Sequence, residues 1–228
     1  MGRCIDRLVQ HGWRRGIQKL MSKWRLVNLG SARASNVTSG AIAKRLFDCS
    51  LSLASLIVLA VPLAVVGLAV RLTSVGPILY WSRRIGRNNE IFMMPKFRSM
   101  HITTPEVATH VLENPNSYHT PIGSFLRRTS VDELPQLWSI LKGDMSIVGP
   151  RPALFNQVDL VRLRTDAGIH VLLPGLTGLA QINGRGHLSI DEKVRLDQEY
   201  LFERSFYLDI WIIYKTALTV FIGERVSN

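Results

Sequence analysis

Two adjacent carboxylates, Asp132 and Glu133, stand where a helix is predicted to begin, and Arg151 follows in a glycine- and proline-rich turn. An acid can attack phosphorus or hold a metal, the N–H groups at a helix N-terminus favour anions, and an arginine binds phosphate oxygens. The pattern therefore suits chemistry on a phosphate ester. A purely structural interpretation also fits, because Ser130 and Glu133 have the spacing of a capping box.

The predicted helix begins between Ser130 and Glu133 and ends at Gly143. Apolar residues recur along it at i, i+3, i+4 and i+7, which predicts one buried stripe formed by Leu134, Leu137, Trp138 and Leu141.

Shorter elements surround this helix in the predicted domain. Residues 77–85 and 90–100 are β-prone and are joined by 86–89, whose asparagine pair predicts a hairpin. Residues 153–166 are amphipathic, and Ser189 with Glu192 predicts a capped helix. Further predicted segments are an extended stretch over 170–183, broken by glycine and proline, and a helix over 189–202. The fold class is a compact, helix-rich, mixed α/β domain without the strand–helix alternation of a doubly wound sheet.

Charge is concentrated at the N-terminus of this 228-residue chain, whose net charge is +11. Residues 1–45 hold ten basic residues and one acid. A basic arm beside an apolar run is typical of an anchor at an anionic membrane surface. The rest of the chain lacks the basic face of a nucleic-acid-binding protein, so no nucleic-acid partner is expected. Two cysteines, Cys4 and Cys49, indicate neither a disulfide framework nor a metal site, which favours a reducing compartment.

An uncharged run of 22 residues, 49–70, is long enough to cross a bilayer core of ~30 Å as a helix. Pro62 lies near its middle, where a proline bends a helix. Both flanks carry basic residues, whereas a single span shows charge asymmetry. These features predict a re-entrant hairpin that breaks at Pro62, and a simple span with a proline kink is the alternative.

Two further segments carry both apolar and charged residues. Residues 206–222 contain Asp209, Lys215 and several aromatics, which indicates a helix lying at the membrane interface or, alternatively, a buried core helix. Residues 1–40 form either an in-plane amphipathic helix or a disordered arm. The predicted organisation is an arm over 1–40, a membrane hairpin over 41–72 and a catalytic domain over 73–228.

Six motifs in a fixed order resemble the bacterial sugar transferase family, the small monotopic phosphoglycosyl transferases. The resemblance covers about residues 40–225, and six ordered motifs are far more specific than any one of them. The motifs are Lys44-Arg45-Leu46-Phe47-Asp48, Pro95-Lys96-Phe97-Arg98-Ser99-Met100, Asp132-Glu133-Leu134-Pro135-Gln136-Leu137, Gly149-Pro150-Arg151-Pro152, Pro174-Gly175-Leu176-Thr177-Gly178 and Gln181-Ile182-Asn183-Gly184-Arg185.

The resemblance implies transfer of a sugar-1-phosphate from a UDP-sugar to undecaprenyl phosphate, with Mg²⁺ as cofactor and UMP as product. By motif, Asp132 is the nucleophile that forms a covalent phosphosugar intermediate, and Glu133 helps to hold the metal. The helix N-terminus is expected to keep Asp132 ionised at neutral pH. Substrate- and phosphate-binding roles carry over to Lys96, Arg127, Arg151, Arg185, Asp197 and Tyr200.

The resemblance also implies a place in the cell and a pathway. The enzyme would sit in the bacterial inner membrane, in contact with lipids and with its active site facing the cytoplasm. It would catalyse the first membrane step of polysaccharide or glycoconjugate synthesis, such as that of exopolysaccharide or O-antigen. Oligomeric state stays open, and overall resemblance favours an N-acetylated hexosamine as the sugar.

Other classes of function compete with this interpretation. A catalytically inactive membrane scaffold would not need the acidic pair and its cations. A nucleic-acid-binding membrane protein would need a basic folded face. A conventional glycosyltransferase with a dinucleotide-type fold would show a strand, a glycine-rich loop and a helix in succession, and no such unit is visible in the sequence.

Overall fold

The computed structural model describes residues 33–107, 114–184 and 188–222. The chain divides into two units, Met1–Ala43 and Lys44–Asn228. In the first unit the described residues form the beginning of helix α1 (Arg33–Val58). Most of the predicted N-terminal arm lies outside the described residues, and so does Arg185.

The apolar run forms two helices, α1 and α2 (Ala60–Thr73), which meet at Leu59. In the part of the chain that the structure describes, no single helix has the length and apolarity needed to cross a membrane. The segments Gly40–Val58 and Ala60–Thr73 meet that requirement together, by length and composition, and they are bent by 65°. A broken apolar helix pair is therefore confirmed, and its position in a membrane stays a prediction.

The bend lies three residues before Pro62, at Leu59, and not at Pro62 as predicted. Pro62 is still its physical cause. A proline has no N–H for the carbonyl four residues earlier, here that of Val58, and its ring crowds that carbonyl. Helical hydrogen bonds continue on both sides, from Leu59 N to Ser55 O at 2.9 Å and from Leu63 N to Leu59 O at 2.8 Å.

The predicted hairpin is confirmed as strands β1 (Leu79–Ile85) and β2 (Ile91–Phe97), paired antiparallel. Asn88 and Asn89 in its turn have positive φ angles of 54° and 62°, which asparagine tolerates better than most residues. Directly opposed residues of an antiparallel pair share one face of the sheet. Every second opposed pair therefore lies on the same face of the hairpin. The pairs on the face that carries Lys96 are Tyr80–Lys96, Ser82–Met94 and Arg84–Phe92.

The acidic pair lies between two short helices, α3 (Gly123–Thr129) and α4 (Gln136–Lys142). A 3₁₀ turn over Val131–Glu133 connects them and α4 begins at Gln136, so the predicted helix start between Ser130 and Glu133 is wrong. Ser130 is left-handed, with φ 58°, and its side chain makes no capping hydrogen bond. An N-cap needs an extended backbone, so the predicted capping box does not form here.

The predicted buried stripe is only partly correct. Leu137 and Ile140 are buried on α4, whereas Trp138 is 57% exposed. Successive helical residues point about 100° apart, so the side chain that follows Leu137 turns away when Leu137 and Ile140 face the core.

A parallel strand pair, which the sequence did not predict, follows the acidic pair. Strands β3 (Ser146–Val148) and β4 (Gly175–Thr177) pair in parallel, and helix α5 (Val158–Asp166) lies between them in sequence. The segment expected to be extended over 170–183 contains a 3₁₀ turn (Ile169–Val171), β4 and helix α6 (Leu179–Ile182). Short elements of three or four residues leave too little periodicity to be recognised.

Two helices complete the domain, α7 (Ile190–Glu203) and α8 (Phe206–Ile222). The capping box of Ser189 and Glu192 at the start of α7 is confirmed. Helix α8 has a buried side, with Ile212 fully buried, and a side on which Tyr207 is 71% exposed. The described chain is thus helix-rich α/β, as predicted. Its main core comprises Met94, Leu137, Ile140, Met145, Ile147, Val148, Ile169, Leu172, Leu179, Ala180, Leu196, Tyr200 and Ile212.

Candidate active site

The acidic pair occupies the sharp connection between α3 and α4. Asp132 is buried and Glu133 is half-buried. The left-handed Ser130 ends α3 and reverses the chain, and the 3₁₀ turn presents both carboxylates before α4 begins. The predicted nucleophile therefore lies on a constrained turn.

Two cations bind the Glu133 carboxylate. Lys96 Nζ lies 2.9 Å from Glu133 Oε1, and Arg151 Nη2 donates to the same oxygen at 2.6 Å. Among the described residues, the one contact of Glu133 Oε2 is a long one of 3.5 Å with Arg151 Nη1. Strand β2 supplies Lys96 and the loop after β3 supplies Arg151, so the structure brings together four predicted site residues: Lys96, Asp132, Glu133 and Arg151.

The loop that carries Arg151 is held tightly against β4. Gly149 N donates to Thr177 O at 2.9 Å, and Gly175 N donates to Pro150 O at 2.8 Å. A Cβ atom on Gly175 would overlap the main-chain nitrogen of Gly149, so glycine is required for this close approach. The two glycine motifs of the sequence thus fix the backbone of Arg151.

Asp197 reaches the site indirectly. Its buried carboxylate accepts hydrogen bonds from Arg164 Nε at 3.0 Å and Arg164 Nη2 at 2.6 Å. Arg164 Nη1 in turn donates to the carbonyl of Arg151 at 2.8 Å. Asp197 therefore orients Arg164, and Arg164 supports the Arg151 loop. A direct contact of Asp197 with substrate stays a prediction.

Tyr200 belongs to a buried polar network. Its hydroxyl donates to Asp209 Oδ1 at 2.7 Å, and Lys44 Nζ lies 2.7 Å from Asp209 Oδ2. Lys44 also lies 3.9 Å from Asp48, which accepts a 2.7 Å hydrogen bond from Ser146 on β3. The network joins α1, α7, α8 and β3, and the predicted substrate contact of Tyr200 stays a prediction.

Arg127 lies at the end of α3, half-buried, with Nη1 3.8 Å from the sulfur of Met100. The positive charge of Arg127 acts on the site, because it partly opposes the rise that burial causes in the pKa of Asp132. Arg127 therefore acts electrostatically on the acidic pair, and its predicted phosphate-binding role stays a prediction. Arg185 lies outside the described residues.

The two carboxylates have opposite pKa shifts. Burial raises the pKa of Asp132 to about 6, with Glu133 adding to the rise and Lys96 opposing it. Burial also acts to raise the pKa of Glu133, but Arg151 and Lys96 outweigh it and hold that pKa well below its usual range. A pKa of about 6 still leaves Asp132 mostly ionised at neutral pH, as expected, but desolvation and not a helix N-terminus dominates the shift of that pKa.

Sequence reasoning missed Arg84 and Gln136, which line a recess together with Met94, Lys96, Glu133, Arg151 and Pro152. In the sequence, Arg84 is one of several basic residues that follow the apolar run. Strand alternation could have identified it, because residues two apart on a strand share a face. Ser82 is buried, and Arg84 follows it on that face.

The donor set fits a magnesium ion. Mg²⁺ is bound through one or two carboxylates together with substrate phosphates and water. Asp132 and Glu133 supply adjacent oxygens of this kind, and in the described part of the chain Glu133 Oε2 has no contact shorter than the 3.5 Å one with Arg151. Among the described residues, no group of three or more histidine, cysteine or acidic side chains could form an all-protein metal site. A magnesium ion would therefore need ligands from the substrate.

Known proteins resemble this chain over most of its length. The sequence profile for bacterial sugar transferases matches residues 39–223. An undecaprenyl-phosphate glucose phosphotransferase of Komagataeibacter xylinus is 40% identical over 186 residues, covering 77% of this chain and 35% of the relative. An undecaprenyl-phosphate galactose phosphotransferase of Salmonella typhimurium is 36% identical, covering 80% of this chain and 41% of the relative.

A relative of similar length also matches. The exopolysaccharide production protein ExoY of Sinorhizobium fredii is 38% identical over 204 residues, covering 81% of this chain and 88% of the relative. The chain therefore spans less than half of the first two relatives and most of the third.

Proposed function

The chain belongs to the bacterial sugar transferase family, and on this basis we propose that it transfers a sugar-1-phosphate from a UDP-sugar to undecaprenyl phosphate, releasing UMP. The observation that carries the proposal is the buried Asp132 beside a Glu133 held by Lys96 and Arg151. Two relatives that are undecaprenyl-phosphate sugar phosphotransferases support it.

In the first step, a carboxylate oxygen of Asp132 attacks the phosphorus that carries the sugar. A bond forms between that oxygen and phosphorus, and the bond to the oxygen bridging the two phosphates breaks. The electron pair leaves with UMP, and an aspartyl phosphosugar anhydride remains on the protein. In the second step, a phosphate oxygen of undecaprenyl phosphate attacks the same phosphorus and restores the Asp132 carboxylate.

The pKa of Asp132 suits this role. A carboxyl with a pKa of about 6 is ionised in about nine-tenths of molecules at pH 7. A raised pKa also makes the carboxylate more basic than an ordinary aspartate, and its burial keeps water from solvating it. Asp132 is thus available as a nucleophile at neutral pH without a separate base.

The neighbouring charges stabilise the phosphates. Lys96 and Arg151 lie where they can balance the negative charge of a diphosphate, and the fixed loop of Arg151 needs little reorganisation. Bound Mg²⁺ would supply further charge neutralisation at the phosphate oxygens, with Glu133 and Asp132 as its protein ligands. Both effects let an anionic carboxylate approach an anionic substrate.

The exposed apolar surface supports a position at the membrane. Side chains at the bend and along α2 are more than half exposed, although a water-exposed surface rarely carries a continuous apolar patch of this kind. They are Ile57, Val58, Val61, Val65, Leu68 and Leu72. We propose a re-entrant helix pair in the bacterial inner membrane, with the active site facing the cytoplasm, where nucleotide sugars are made.

The test is UMP release by the purified full chain in nanodiscs with undecaprenyl phosphate and a panel of UDP-sugars. The panel includes UDP-glucose and UDP-galactose, because of the names of the relatives, and UDP-N-acetylhexosamines. We expect one sugar to support turnover that Asp132→Asn abolishes and that the exposed-site control Asp159→Asn retains. Release that survives Asp132→Asn would contradict the proposed nucleophile.

A further inference from the structure

Arg84 lines the recess beside Glu133 and has no carboxylate partner among the described residues. Arg84 is half-buried on β1, and its charge interacts with those of Arg151 and Glu133. It donates from Nε to Ser82 Oγ at 3.0 Å and from Nη1 to Pro152 O at 3.1 Å. Over residues 33–107, 114–184 and 188–222, no carboxylate lies within ion-pair distance of it.

The strand geometry points Arg84 toward the site. Arg84 and Lys96 share one face of the β1–β2 hairpin, and both line the recess that contains Glu133 and Arg151. Arg83, the preceding residue on the strand, belongs to the opposite face, where it pairs with Glu106 at 2.8 Å. The hairpin thus separates two adjacent arginines into a paired surface cation and a cation in the recess.

The charges in the recess do not balance. Arg84, Lys96 and Arg151 line the recess, and Glu133 is the carboxylate that lines it with them. The charge of Glu106 also acts on Arg84, but Glu106 forms its ion pair with Arg83. Burial and the neighbouring charge of Arg151 lower the pKa of Arg84 to about 10, which leaves it protonated at neutral pH. Buried cations are normally paired with an anion. An anionic ligand would supply that partner.

A second polar group in the recess also lacks a partner. Gln136 is 3% exposed, and its amide nitrogen has no hydrogen-bond partner within the described part of the chain. Buried polar groups in proteins are almost always hydrogen-bonded, so an unsatisfied donor beside an unpaired arginine indicates an absent acceptor. Phosphate oxygens accept hydrogen bonds from both groups.

We propose that Arg84 binds phosphate oxygens of the substrate, assisted by the Gln136 amide, and so extends the cation set formed by Lys96 and Arg151. The inference rests on the proposed function, because a diphosphate donor and a lipid phosphate both present such oxygens. Neither the motifs nor the acidic pair assigned this role to Arg84. Of the two adjacent arginines of β1, Arg84 lies in the recess with Lys96 and Arg151, whereas Arg83 pairs with Glu106 on the opposite face.

The test uses inorganic pyrophosphate and the full chain in nanodiscs, with binding followed as a ligand-induced shift of thermal unfolding. We expect pyrophosphate to bind wild type and Arg83→Gln alike, and Arg84→Gln about tenfold or more weakly, the loss typical of one charged hydrogen bond. Equal affinity of Arg84→Gln and Arg83→Gln would overturn the assignment, as would a wild type that does not bind pyrophosphate.

A milder pair of variants guards against misfolding. If Arg84→Gln is unfolded before ligand is added, Arg84→Lys is compared with Arg83→Lys. Lysine keeps the charge but cannot form the planar two-bond contact of a guanidinium, so roughly three- to tenfold weaker binding is expected for Arg84→Lys alone. Identical affinities of the two lysine variants would refute a phosphate contact at Arg84.

Turnover then identifies the source of the phosphate. A raised KM of Arg84→Lys for the UDP-sugar alone assigns the recess to the donor, and a raised KM for undecaprenyl phosphate alone assigns it to the acceptor. If the KM values of Arg84→Lys for the UDP-sugar and for undecaprenyl phosphate both equal those of Arg83→Lys, the inference is contradicted. A wild type that binds pyrophosphate but turns over no UDP-sugar would refute the proposed reaction and leave the phosphate contact supported.

Discussion

Replacing Asp132 by asparagine should abolish activity and, at neutral pH, make the protein more stable. Burial raises the pKa of Asp132 from 3.8 to about 6 in the folded state. The folded protein therefore binds more protons than the unfolded chain between these two pH values, and stability falls as pH rises through them. Asparagine resembles the neutral carboxyl in shape and cannot ionise. The stability of the Asp132→Asn variant therefore does not fall in this way as the pH rises.

The size of the effect follows from the shift. A change from 3.8 to about 6 corresponds to about 3 kcal/mol in the free energy of unfolding, at about 1.4 kcal/mol for each pKa unit. The stability difference between Asp132→Asn and wild type should be near zero below pH 4 and should reach its full value by about pH 7. For a chain of this length it raises the unfolding temperature by roughly 6–12 °C.

The assay is thermal unfolding of both proteins in nanodiscs at a series of pH values from 4 to 8. The matched control is Asp159→Asn, which removes an exposed carboxylate from α5 and should show no such pH-dependent gain. A difference that does not change with pH, or a wild type more stable than Asp132→Asn at pH 7, would refute the argument that desolvation dominates at Asp132.

Three further changes test other parts of the structure. Glu133→Gln should reduce turnover strongly and weaken its magnesium dependence; an unchanged magnesium titration would show that the metal is held elsewhere. Pro62→Leu restores the missing helical hydrogen-bond donor, so labelling from outside intact cells should increase at a cysteine placed near position 40, in a background without the native cysteines. No increase would contradict the role of the proline. Arg164→Met should destabilise the fold by about 3–5 kcal/mol, because it leaves a buried Asp197 charge unpaired, and adding Asp197→Asn should recover part of that loss in a denaturation series.

The same four-residue pattern has two different outcomes in this chain, which shows where sequence reasoning ends. Ser189 and Glu192 form the capping box that their spacing predicts. Ser130 and Glu133 have the same spacing but form none, because Ser130 closes α3 in a left-handed conformation. The end of a preceding helix is a tertiary constraint, and the local pattern carries no information about it.

The hairpin was predictable because its signals are local. Two β-prone runs flank an asparagine pair whose positive φ angles suit a tight turn. The parallel pairing of β3 with β4 was not, since it joins three-residue strands far apart in sequence. That pairing fixes the loop of Arg151, so the motif predicted the residue and the fold supplied its orientation.

The separate roles of two adjacent arginines were also beyond the sequence alone. Arg83 and Arg84 both read as basic flanks of the apolar run. The strand assigns them to opposite faces, and the register with β2 places Arg84 on the face of Lys96. Likewise, the sequence predicts an Asp132 that is ionised at neutral pH, but it does not predict the tertiary burial that raises the pKa of Asp132 to about 6.

The central claim is that Asp132 becomes covalently bonded to the sugar phosphate. The most direct measurement is mass spectrometry of the full chain after rapid mixing with the UDP-sugar that supports turnover, without undecaprenyl phosphate. We expect about one UMP released for each protein molecule and an added mass of one sugar phosphate on the peptide that contains Asp132, discharged when the lipid acceptor is added. Rapid turnover to the lipid product with neither adduct nor UMP burst would contradict the account.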